Sequence, residues 1–93
     1  MSEKENIKAV VAISVEVALM RIGGPEYQNV ISHLERDYEM SITDCFDNPK
    51  SLKETIKEVY GKSYLKVISE IETELTGQAS GKEIETFLKV LKS

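Results

Sequence analysis

Ninety-three residues with 41% hydrophobic and 30% charged side chains suit one domain of the ordinary globular class, which excludes a disordered chain. The formal charge is −4, and its concentration in an acidic middle stretch is expected to attract cations and not nucleic acid. With a single cysteine, Cys45, the chain has no intrachain disulfide and no Cys-x-x-Cys pair, so a reduced, cytoplasmic setting is expected.

The first element is expected from about Glu3 to Ile22. Ser2 followed by Glu5 has the spacing of a capping box, in which a hydroxyl and a carboxylate each satisfy a free backbone N–H. Ile7, Val10, Val11, Val15, Ala18 and Ile22 recur at helical spacing. Alternation from Val11 to Leu19 would also suit a strand, but no partner strand follows. The helix is apolar nearly all round, because Ile13, Val17 and Met20 project away from the stripe of Ile7, Val11 and Ala18. Other helices of the domain are expected to surround it; failing that, the spare face docks a second copy or another partner. Ser14 and Glu16 interrupt the run short of the roughly 18 apolar residues of a membrane span, and the acids before it do not suit a signal peptide. Neither membrane insertion nor export is expected.

Gly23 and Gly24 close this helix, and Pro25 suits the first turn of a second, expected from about Pro25 to Tyr38. Tyr27, Val30, Ile31, Leu34 and Tyr38 form its apolar stripe. Ile42, Cys45 and Phe46 fit one short turn, and Asn48 is placed to cap a third helix that opens on Pro49 and stops at Gly61. Leu52, Ile56, Val59 and Tyr60 give that helix its buried side. A fourth helix, from about Ser63 to Leu75, is expected to bury Tyr64, Leu65, Ile68, Ile71 and Leu75. Residues 77–81 read as a turn, Ser80 and Glu83 as a second capping box, and Ile84, Phe87, Leu88 and Leu91 as the inner face of a fifth helix. The expected architecture is all-α, a compact five-helix bundle in one domain.

Charge concentrates in the middle of the chain. Residues 25–49 hold six acids against one base, whereas the segments on either side are nearly balanced. Asp37, Glu39, Asp44, Asp47 and Asn48 set five oxygen-bearing side chains around an irregular connection, the donor type that calcium needs in number. Two readings stay open. The favoured one leaves these acids solvated, with Asp47 and Asn48 acting at the start of the third helix; the other is a weak calcium site, without the spacing of an EF-hand. Glu70 and Glu74 share a helix face and are less suggestive. His33 lacks the nucleophile spacing of a triad, and Cys45 beside Phe46 reads as packing rather than as a thiol sensor. No nucleophile, base and oxyanion donor can be assembled, so binding is expected and catalysis is not.

The order Leu-Met-Arg-Ile-Gly-Gly at 19–24, Ser-His-Leu-Glu-Arg-Asp-Tyr at 32–38, Asp47-Asn48-Pro49 and Val59-Tyr60-Gly61 resembles the NitrOD output-domain family of archaea, over roughly residues 10–76. The resemblance implies a saposin-like helical bundle that stands alone or serves signalling proteins as an output module, and it carries over no catalytic residue. A protein partner is therefore the leading expectation. A lipid surface is the alternative, opposed by the acidic middle wherever headgroups are anionic.

Overall fold

The computed structural model describes residues 3–93, with side chains from Asn6 onward. The Ser2–Glu5 capping box lies outside the described residues. Five α-helices follow one another: α1 Glu3–Ile22, α2 Glu26–Tyr38, α3 Pro49–Tyr60, α4 Tyr64–Gln78 and α5 Lys82–Lys92. One 3₁₀ turn, Ile42–Asp44, lies between α2 and α3, and a second, Gly61–Ser63, joins α3 to α4. Among the described residues there is no strand, so the architecture is all-α, as the periodicity predicts.

The helices close around one core. α1 packs most extensively on α4, α2 on α3, α5 on α3, and the first 3₁₀ turn on α1. Val11, Val15, Ala18 and Leu19 reach the core from α1, Val30 and Leu34 from α2, Leu52 and Ile56 from α3. Val67, Ile68, Ile71 and Leu75 of α4, Ile84, Phe87, Leu88 and Leu91 of α5, and Met40 and Cys45 from the connection between α2 and α3 complete it. The α5 pattern at i, i+3, i+4 and i+7 is buried at every position. Burial of this kind, rather than intrinsic propensity, holds helices of 11 to 20 residues together in a chain of this length.

The helix ends follow backbone chemistry. Gly23 and Gly24 both have positive φ, 80° and 85°, which reverses the chain after α1, and the Gly23 N–H donates to the Leu19 carbonyl at 3.0 Å. Pro25 stands one position earlier than expected, as the residue before α2, where its carbonyl accepts from the Gln28 and Asn29 N–H groups. α2 ends on Glu39 at φ 52°, the one non-glycine residue with positive φ among those described.

Three expectations are corrected. α4 runs through Gly77 to Gln78 and not to Leu75, because Gly77 keeps a helical backbone and the chain leaves the helix only at Ala79, φ −154°. The Ser80–Glu83 capping box does not form. Gly81, at φ 127°, stands immediately before α5, so Ser80 lies one residue too early to cap it. Leu65 is 59% exposed instead of buried, and Val67 takes its place. The α4 stripe through Tyr64, Val67, Ile68, Ile71 and Leu75 leaves position 65 about 100° to one side.

Candidate functional site

The connection between α2 and α3 carries the five residues singled out above. Asp37, on the last turn of α2, is held by its own helix: its Oδ2 lies 3.0 Å from Nε2 of His33, and its Oδ1 lies 3.2 Å from Nε of Arg36. Nη2 of Arg36 approaches Nδ1 of His33 at 3.4 Å. Because a guanidinium only donates, Nδ1 accepts and the imidazole proton sits on Nε2, facing Asp37. His33 is thereby occupied at both nitrogens.

Glu39 acts through its backbone, as the left-handed residue that ends α2. Asp44 folds back on Ser41, whose backbone N–H and hydroxyl donate to Oδ2 at 3.0 and 3.2 Å. The backbone N–H of Ser41 is the main cause that holds the Asp44 carboxyl below the usual aspartate range; desolvation, next in weight, opposes it, and the Ser41 hydroxyl and the charge of Lys8 add to the lowering. Asp47 pairs with Nζ of Lys8 on α1 at 3.0 Å. Asn48 occupies the position before α3 but does not cap it: its Nδ2–H donates to the Asp44 carbonyl at 3.1 Å, which leaves the first turn of α3 without a side-chain cap.

Four of these five side chains, those of Asp37, Asp44, Asp47 and Asn48, therefore serve four separate local purposes, and Glu39 contributes its backbone. Among the described residues no group of three or more His, Cys, Asp or Glu side chains is placed to hold a metal ion. The convergence on which a calcium site depends is not formed among these residues, because Asp37, Asp44 and Asp47 each turn toward a different nearby donor. Glu74 is likewise engaged, with Nη1 of Arg21 on α1 at 3.1 Å, and is not paired with Glu70.

Cys45 sits fully buried at the hinge of this connection, with its thiol pushed up to about 12 by burial first and the charge of Asp44 second. Its complete burial makes it a packing residue of the core. Phe46 beside it stacks on Phe87 of α5, ring centroids 6.2 Å apart, and the two line an open cleft of about 340 Å³ together with Pro49, Lys82, Glu83 and Thr86. Sequence reasoning did not foresee this cleft, because Phe46 and Phe87 lie 41 positions apart and only the packing of α5 brings them together.

The second surface of note is the outer side of α1. Ile13 is 57% and Met20 56% exposed, Val17 between them is half-buried and Ala9 is exposed, whereas Val15 and Leu19 on the inner side are completely covered. The other helices do not surround α1, as they were expected to; they cover one side of it. Glu16 borders the strip and accepts a hydrogen bond from the Tyr27 hydroxyl at 2.9 Å, which raises the tyrosine above its ordinary value. Arg21 borders the other side. Among the described residues no helix is long and apolar enough to cross a membrane.

No family model, no curated protein and no solved structure matches this chain.

Proposed function

We propose that this chain is a non-enzymatic binding module of the signalling-output kind, and that it docks a protein partner through the outer side of α1. The observation that carries this reading is the exposure of Ile13 and Met20, one above the other on a helix whose opposite side is closed. Single exposed apolar residues are ordinary on any surface; a strip of them along one helix marks a contact. The resemblance to the archaeal NitrOD output domains supports the signalling role, and the saposin-like arrangement and a cytoplasmic setting belong to the same proposal. Catalysis has less support, since Cys45 is buried and His33 is tied to Arg36 and Asp37.

A photoreactive residue introduced at position 13 in the native host tests this. The expected result is a discrete protein adduct that does not form from the exposed position 58 on α3. The same adducts from both positions would refute docking through α1. Co-sedimentation with vesicles of uncharged lipid, if it were lost on Ile13→Ser, would replace the protein partner by a lipid surface.

A further inference from the structure

The outer side of α1 carries more order than exposure alone. Taking Ile13 as position d of a heptad places Asn6, Ile13 and Met20 at d and Val10 and Val17 at a, a seam with the 3.5-residue repeat of two-stranded coiled coils. The seam residues are exposed at 6, 13 and 20 and half-buried at 10 and 17, where the flank of the domain begins. The valines at a suit a two-stranded seam where leucine stands at d; here d holds Asn6, Ile13 and Met20, so the direction of the pair is set by charge.

Charge makes the pairing specific. In this register Glu16 is at g and Arg21 at e, and in a parallel in-register pair residue g of one helix faces residue e of the next heptad on the other, five positions on. Glu16 of each copy therefore meets Arg21 of its partner copy, twice by symmetry. Both groups keep capacity for it: Glu16 uses Oε2 for Tyr27, leaving Oε1, and Arg21 uses Nη1 for Glu74, leaving Nε and Nη2.

Two heptads are too few for isolated peptides to pair, chiefly because association must also form the helix. Here α1 is already held helical by α4 and by the turn at Ile42–Asp44, so that cost has been met within each domain. A contact strip of about 22 Å is nonetheless smaller than standard interfaces, and the association it supports is weak and concentration-dependent.

We propose that the partner accommodated by α1 is a second copy of this chain, paired parallel and in register about a two-fold axis along Val10, Ile13, Val17 and Met20. The proposal rests on the reading of α1 as the docking surface and names its occupant. Ile13→Cys and Met20→Cys variants, mixed and oxidised, test the geometry, since the native Cys45 is fully buried. A parallel pair gives 13–13 and 20–20 disulfides and no 13–20 product; a predominant 13–20 product would overturn the register in favour of an antiparallel pair.

Sedimentation equilibrium tests the association itself. A dimer populated at about 0.1–1 mM chain is expected, weakened about tenfold or more by Ile13→Ser with Met20→Ser. Arg21→Glu and Glu16→Arg should each weaken it, and their combination should recover it, with circular dichroism confirming that every variant is folded. A monomer at 1 mM whose cysteine variants crosslink no more than Glu58→Cys would eliminate the second copy as occupant. An adduct with a different protein from position 13 would then still stand for the docking surface, so the two failures are separable.

Discussion

Glu39 shows how one residue can carry a local cost for a global gain. A left-handed backbone costs an L-residue about 1 kcal/mol or more, yet the turn at φ 52° is what directs the chain from α2 into the connection that seats Met40 and Cys45 in the core. Glu39→Gly should therefore stabilise the fold by about 0.5–1 kcal/mol, read as a rise of about 2–8 °C in thermal midpoint; a fall would mean that the carboxylate does more than tolerate the turn. Asp44 contributes in the opposite sense, through its charge. Its folded pKa lies below the unfolded one, so its contribution is complete above the unfolded pKa and is lost as pH falls through the folded value. A carboxyl-carbon titration should place the Asp44 midpoint below that of an unstructured aspartate, and Ser41→Ala should move it partway back, because the backbone N–H remains. A midpoint unchanged from the unstructured value would remove the Ser41–Asp44 contact.

At the scale of the element, α1 is the informative case, because it has two apolar sides and one neighbourhood. Leu19 is completely buried and Met20, the next residue, is 56% exposed. Leu19→Ala should cost about 2–5 kcal/mol in denaturant unfolding, as truncation of a buried leucine leaves a cavity, whereas Met20→Ala should change stability by about 0.5 kcal/mol or less. Equal losses at the two positions would place both in the core and leave no strip for a partner. α5 is the simple counterpart: its inner stripe is wholly covered and its lysines and glutamates are outside, so its burial could be read from periodicity with no knowledge of its neighbours. In α4, Leu65 is expected in the core and is exposed instead, because it stands about 100° to one side of the stripe that Ile68, Ile71 and Leu75 turn inward.

For the molecule as a whole, the charge imbalance is real but spatially divided. Asp37 belongs to α2, Asp44 to Ser41, Asp47 to Lys8 across the fold, and Asn48 to the connection's own backbone. With those partners in place, millimolar calcium should leave the amide shifts of residues 37–48 unchanged apart from weak, non-saturating screening effects. A saturable, localised response would demonstrate that the ion can outbid these local contacts and gather the carboxylates. The Lys8–Asp47 pair also links α1 to the connection, so the acidic segment helps seat the helix on which the proposed docking depends.

Periodicity, glycine and proline placement were sufficient to specify that this chain makes five helices and where most of them start and stop, since both signals act within a few residues: Gly23-Gly24 after α1, Pro49 opening α3, and the i, i+3, i+4, i+7 stripe of α5. The apolar surplus of α1 was equally legible. Which of its sides would be covered was not, because that depends on where α4 and the 3₁₀ turn come to rest, and neither position is encoded in the helix itself. The acids around the connection had the composition of a cation site, but a site needs convergence in space. Nearer donors, Ser41 along the chain and Lys8 across it, decided where those carboxylates point.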